Sequence, residues 1–315
     1  MAEAPGRRVL HDTGADTARG IALVNLCFLL LTLGDVATVW VLPMLGAAGA
    51  MLGRGALGAA SVAMLALGRR GGLFRLRPVR WRLVAVRSFI HALATLTWYV
   101  AWTWSLGLAD SYAIGYAAPL LMIILARPML GERVGWPRGL ATAIGFLGML
   151  VMVRPGGDLW RPAALLLAGG VCGMALSRNL TRLLATSETP ECLAFWLMVA
   201  HLPVGAVMLA LGFPVPRVNA AVVVGVLILG ITNGIAHWLY SRACSLAPIA
   251  ALAPYEYTGL AWAIPLGFIA FGQVPSATTI GGAVVVVAAG LYILYREQRR
   301  GRAERAAMPL DAPLP

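Results

Sequence analysis

Glu256 stands between two tyrosines, Tyr255 and Tyr257, in the apolar stretch "ALAPYEYTGLAW" that runs from Ala251 to Trp262. An ionisable group in such surroundings is expensive, and by default it marks a binding or proton-transfer site. Pro254, two residues earlier, lacks a backbone donor and loosens the preceding turn, leaving carbonyls free to face a cavity. Buried without a cation, the Glu256 carboxyl would hold its proton at neutral pH. It would then serve as a proton carrier, or as the partner of a cationic substrate group. The plainer alternative is a structural carboxyl hydrogen-bonded to a neighbouring helix. Tyr255 and Tyr257 lie about 200° apart around a helix, so at most one of them shares a cavity with Glu256.

Other polar residues interrupt equally apolar surroundings. Asp35 lies in "LTLGDVATVW", and Arg178 in "MALSRNLTR" stands about 143 residues later. The two could line one path, face each other, or form a structural ion pair. Arg54 and Arg87 are expected to snorkel to lipid headgroups. His91, His201 and His237 carry no second ligand at helical spacing, which argues against a metal site. Packing is the default for all three, although His237, one turn beyond Asn233 and beside Trp238, could line a cavity. "WYVAWTW" places Trp98 and Trp102 four apart on one helix face, suited to pack a flat or cationic substrate, while Trp104 suits the membrane interface. Tyr112 and Tyr116 are again four apart. The cysteines, Cys27, Cys172, Cys192 and Cys244, form no metal or haem motif and are expected to be small core residues. Nothing in the chain calls for a cofactor.

The elements that must position these groups follow from composition. The chain is 60% hydrophobic and 12% charged, with a mean hydropathy of +0.80, about half the charge of an ordinary soluble domain. Apolar runs long enough for a bilayer predict ten spans at 21–44, 47–67, 83–104, 110–130, 137–154, 162–184, 191–212, 218–241, 248–271 and 277–295. All 25 basic residues are arginine. With the N-terminus inside, twenty of them fall in or near the cytoplasmic side, and only Arg154, Arg161 and Arg217 fall outside. That bias places both termini in the cytoplasm. The net charge of +12 therefore reads as topogenic, with anionic headgroups as secondary partners and no role for nucleic acid. The N-terminal 20 residues have no apolar run of their own, so the first span is expected to act as a signal anchor.

The chain also repeats. At an offset of 140 residues, Trp98 meets Trp238 and Ser105 meets Ser245; at 141, "LGERV" (Leu130–Val134) meets "FGQVP" (Phe271–Pro275); at 142, Gly148 meets Gly290. Each unit holds five spans. An odd number forces the second copy to enter the membrane the other way up, an arrangement typical of carriers. The domain expectation is a cytoplasmic tail 1–19, repeat one 20–155, repeat two 156–296, and a cytoplasmic tail 297–315. Tyr112 and Tyr116 are repeat-related neighbours of the Ala253–Tyr257 region, and the site is expected where those segments meet. Small-residue spacings, Gly49/Gly53 and Gly230/Gly234, predict close helix packing.

"ADSYAIGYAAPLLMIILARPMLGERVGWPRGLATAIGFLGMLVMVRP" resembles the fourth and fifth spans of the drug/metabolite transporter superfamily, EamA type, and "SLAPIAALAPYEYTGLAWAIPLGFIAFGQVPSATTIGGAVVVVAAGLYILYRE" resembles its ninth and tenth. The similarity runs from about residue 20 to 296. Gln273 replaces the glutamate common at that position in the family. The resemblance implies an all-α integral membrane protein of ten transmembrane helices built as two inverted five-helix repeats. It further implies a secondary carrier in the inner membrane that moves a small organic metabolite by alternating access. The cargo would be amino-acid-like, an amine or vitamin-like, with the proton as coupling ion and export as the favoured direction. An uptake facilitator or exchanger is the alternative, and a non-transport structural or signalling protein a more distant one. A homodimer is compatible with the chain. An enzyme would need a catalytic constellation, and the sequence has neither a nucleophile elbow nor a zinc-protease motif nor a phosphate loop.

Overall fold

The computed structural model describes residues 14–104, 108–115, 117–131, 162–213 and 219–272, with scattered positions within 136–147 and 281–295. The expected fifth and tenth spans fall largely outside these residues, as do Tyr116, Gln273 and the tail 297–315. Among the described residues every regular element is helical. In lipid a backbone without water must satisfy its own hydrogen bonds, and a helix does so within one segment.

The order is α1 (Gly14–Leu67), α2 (Trp81–Thr103), α3 (Leu108–Gly115), α4 (Ala118–Leu130), α5 (Pro162–Leu184), α6 (Pro190–Val199), α7 (His201–Ala210), α8 (Ala220–Cys244), α9 (Ile249–Leu252) and α10 (Thr258–Phe271). Short 3-10 turns occupy Gly72–Leu76 and Ala253–Tyr257. Among the described residues, five helical segments are long and apolar enough to cross a membrane, and the chain is a helical membrane protein. Leu26, Met64, Ile124, Val207 and Ile269 turn outward, as lipid-facing side chains do. Trp81 and Trp104, both exposed, bracket the 23 residues of α2. That length spans about 34 Å, a match to the bilayer core and its interfacial aromatic belts.

α1 contains 54 residues, and a straight helix of that length would measure about 80 Å. It turns back at Gly46, whose φ of 66° and ψ of 168° suit only a residue without Cβ. Two arms result, 14–45 and 47–67, matching the first two expected spans. Both arms grip α8. Gly20 faces Ala247, Gly34 faces Asn233, and Trp40 faces Gly225 from the first arm; Gly53 faces Val226 and Gly58 faces Gly234 from the second. The Gly53 and Gly234 contacts account for the small-residue spacings. A Cβ on Gly234 would lie 2.5 Å from the Gly58 carbonyl oxygen, and backbone cannot move aside as a side chain can. Gly234→Leu is therefore expected to cost about 1–3 kcal/mol or more. The check is a lowered melting temperature and a loss of monodisperse protein in detergent.

Two expected spans are broken rather than continuous. Span 110–130 has a turn at Ala117, whose amide bonds the Ile114 carbonyl, and span 248–271 passes through α9 and the 3-10 turn before α10 begins. Pro119 and Pro254, which have no backbone N–H to donate, lie at these breaks. α4 and α10 then end alike. Gly131 and Gly272 are both left-handed caps, with φ of 68° and 64°, and their amides close onto Arg127 and Phe268 carbonyls. Cys27, Cys192 and Cys244 are buried as expected, but Cys172 on α5 is exposed.

Candidate functional site

Helices α1, α2, α3, α4, α5 and α8 and the Ala253–Tyr257 turn line a partly open cavity. Phe28 and Leu31 join it to an apolar cluster around Val24 and Tyr255, and Trp98 and Trp102 join it to another around Val41 and Met51. Asp35, Trp98, Trp102, Tyr112, Arg178, His237 and Glu256 all line it. Tyr255, Tyr257 and Asn233 do not: each is at most 3% exposed and packed among helices. Asn233 lies against Gly34, with its amide donating to the Leu229 carbonyl at 2.8 Å.

Glu256 is not a lone carboxyl. Arg178 donates to its Oε2, forming an ion pair, and the Tyr240 hydroxyl donates to Oε1 at 3.0 Å. This overturns the condition on which a neutral Glu256 depended, because the cation comes from α5. The Arg178 guanidinium also lies 5.6 Å from the Phe28 and Tyr240 ring centres, placing it between two π faces. Asp35 and Arg178, which the repeat suggested as possible partners, both line the cavity but do not pair. Asp35 instead accepts a hydrogen bond from the Tyr112 hydroxyl at 2.7 Å. Asp35 is thus the cavity carboxyl without a cation bound to it.

One wall is aromatic. Trp98 meets Trp102 and Tyr112 edge to face at 5.8 and 5.9 Å, and Tyr99 stacks on Trp102 at 5.8 Å. Trp102 is fixed by its indole hydrogen bond to Ser111 at 3.1 Å. Gly115 gives Trp98 its place, since a Cβ there would come within 2.5 Å of the ring. His91, Thr95, Trp98 and Trp102 fall on one stripe of α2 at successive helical turns, and all four line the cavity.

Arg54 and Arg87 do not snorkel. They are 5% and 1% exposed. Arg87 spends its donors on Thr181 Oγ1 and the Leu193 carbonyl, at 2.9 and 2.7 Å. Arg54 reaches the cavity, donating to the Tyr99 hydroxyl at 3.2 Å and to His237 Nε2 at 3.1 Å. Nor are the three histidines scattered. His91 lies 4.8 Å from His237 and 6.2 Å from His201, ring centre to ring centre. Arg54 and His91, expected to snorkel and to pack, line the cavity instead, while Tyr99 and Tyr240 are polar groups that linear reading passes over. The α2 stripe points to a cavity place for His91, but nothing local marks the others.

Away from the cavity, the arginine-rich 69–80 segment is docked on the start of α6. The Glu191 carboxylate, 1% exposed, accepts from Arg75 at 2.9 Å, pairs with Arg69 at 3.3 Å and accepts from the Trp238 indole at 3.1 Å. Glu188 accepts from the Val79 and Arg80 amides at 2.9 and 2.7 Å. Arg69 and Arg75 therefore hold this segment to α6.

A buried chamber with an aromatic wall and charged groups, enclosed by membrane-crossing helices, defines a small-molecule membrane transporter rather than an enzyme. No protein-family model matches the chain. A riboflavin transporter of Rhizobium johnstonii is 31% identical over 284 residues, covering 90% of this chain and 92% of the relative. An S-adenosylmethionine uptake transporter of Rickettsia bellii is 25% identical over 219 residues, covering 68% and 75%. A protein of known crystal structure, 19% identical, shares the fold with a TM-score of 0.72 over 92% of this chain and 98% of its own. The chain belongs to the drug/metabolite transporter superfamily as an EamA-type permease.

Proposed function

We propose that the chain is a secondary active transporter that binds a flat heteroaromatic metabolite, of flavin or adenosyl type, in the Asp35–Glu256 cavity and moves it by alternating access coupled to protons. The observation that carries this reading is the pairing of an aromatic wall, Trp98, Trp102 and Tyr112, with charged groups from both halves of the chain. The two named relatives, which carry riboflavin and S-adenosylmethionine, support cargo of that shape. Ten spans in two inverted repeats, with both termini in the cytoplasm of an inner membrane, complete the proposal. The matching broken spans and the matching glycine caps at Gly131 and Gly272 support the repeat, since discontinuous helices in corresponding positions accompany carrier sites. The Glu188 and Glu191 contacts with the 69–80 segment would close the cytoplasmic side in this state and separate in the other. Asp35 replaces Glu256 as the proposed proton carrier, because Glu256 is held by Arg178. Direction follows the substrate and proton gradients, so uptake and export are two uses of one cycle.

The test is flux of radiolabelled riboflavin and S-adenosylmethionine into proteoliposomes, with a pH gradient of either sign. Saturable flux that reverses with the gradient is expected. Flux no greater than that of empty liposomes for every flavin and adenosyl compound would remove the substrate assignment. Trp98→Leu is expected to raise KM about 5-fold with maximal flux retained, the effect of losing about 1 kcal/mol of aromatic contact. An unchanged KM would take Trp98 out of the site.

A further inference from the structure

The Arg54 corner of the cavity holds unused hydrogen-bonding capacity. Arg54 is 5% exposed and its partners are neutral: the Tyr99 hydroxyl and His237 Nε2. A guanidinium can only donate, so Nε2 must accept, which leaves the His237 proton on Nδ1. Among the described residues no carboxylate lies within 4 Å of Arg54, and Arg54 Nε has no partner. The two cavity carboxylates are engaged elsewhere, Glu256 by Arg178 and Tyr240, Asp35 by Tyr112. Asp35 feels the field of Arg54 but stands beyond ion-pair distance. Beside this cation is His91, 2% exposed and lining the cavity, with no protein partner for either ring nitrogen. A buried polar group left unpartnered costs about 1–3 kcal/mol, so such groups at a cavity wall point to a ligand that satisfies them. Arg87 supplies the contrast. It too is buried without a carboxylate, yet its hydrogen bonds go to Thr181 and Leu193 and it is not part of the cavity lining.

We propose that Arg54, with His91 and His237, forms an oxyanion subsite, and that the transported metabolite carries a carboxylate or a phosphate on its aromatic or heterocyclic body. This deepens, and rests on, the reading of the cavity as the transport site. A guanidinium presents parallel donors to the two oxygens of such a group. The His91 imidazole adds a further donor, and the Tyr99–Trp102 stack flanks the body of the ligand. Carboxylate and phosphate share this chemistry, and matched ligands separate them.

The experiment is isothermal titration calorimetry on the full chain in nanodiscs with pairs that differ only in the anionic group. The phosphate pair is riboflavin and its 5′-phosphate. The carboxylate pairs are nicotinamide with nicotinate, and S-adenosylmethionine with its decarboxylated counterpart. Wild-type protein is expected to bind the anionic member of at least one pair about 10-fold more tightly, the scale of one charge-assisted contact. Arg54→Gln is expected to erase that preference, bringing the anionic member's affinity down to that of the neutral member. His91→Phe, which removes no protein hydrogen bond, is expected to reduce the preference with the fold intact. The subsite is overturned if the members of every pair bind equally, if the preference survives Arg54→Gln, or if no anionic member binds. Equal binding of neutral and anionic members would leave the transport reading standing, whereas flux failure in proteoliposomes would remove that reading whatever calorimetry shows.

Discussion

Glu256→Gln is expected to abolish substrate flux and to lower the melting temperature by roughly 6–10 °C. The substitution keeps the shape and leaves an oxygen that can accept from Tyr240, so what it removes is the negative charge. Arg178 then remains, 11% exposed, as a buried cation that does not shed its proton. Breaking a buried pair from one side costs about 3–5 kcal/mol, which in a chain of this size corresponds to a shift of roughly that many degrees. Function is lost because the pair joins the broken Ala253–Tyr257 turn to α5 at the cavity wall. Removing both charges, with Arg178→Met added to Glu256→Gln, is expected to restore most of the melting temperature but not the flux, since no stranded charge remains while the site is still altered. Differential scanning fluorimetry and proteoliposome flux on the two variants decide it. A single variant that melts and transports like wild type would reduce Glu256 to a packing residue.

Asp35→Asn is expected to behave differently. Asparagine can still accept the Tyr112 hydrogen bond, so the melting temperature should move by no more than the equivalent of about 1 kcal/mol. Accumulation driven by a pH gradient should fall to the level of empty liposomes. Exchange of labelled for unlabelled substrate at equal pH should continue, because a side chain that no longer binds and releases a proton uncouples the carrier without blocking its movement. The carboxylate that loads and unloads protons must reach the cavity and have no fixed cation, and Asp35, held only by a tyrosine hydroxyl, meets both conditions where Glu256 does not. Loss of exchange along with accumulation would instead make Asp35 a substrate ligand.

Much of the molecule was legible before any coordinates. Apolar runs and the cost of a charge in lipid pointed to a helical membrane protein and singled out Glu256, Asp35 and Arg178. Trp98, Trp102 and His237 were named from their spacing and neighbours, and all three line the cavity. The misplacements share a pattern. Tyr255 and Tyr257 were grouped with Glu256 because they adjoin it in sequence, yet the turn buries them elsewhere. Arg54 and Arg87, expected to reach headgroups, are instead enclosed, Arg54 between Tyr99 of α2 and His237 of α8, and Arg87 against Thr181 of α5 and Leu193 of α6.

The helical class and the membrane character were legible in the sequence alone, for a physical reason: a helix in lipid satisfies its backbone within one segment, and hydropathy acts residue by residue. The tertiary structure alone decided the partners. Arg178 reaches Glu256 across 78 residues, Tyr112 reaches Asp35 across 77, and Arg54 reaches His237 across 183. The last of these closes because α1 folds back at Gly46 and both its arms grip α8. Whether a buried carboxylate is a paired charge or a free proton site depends on which helix face arrives opposite it.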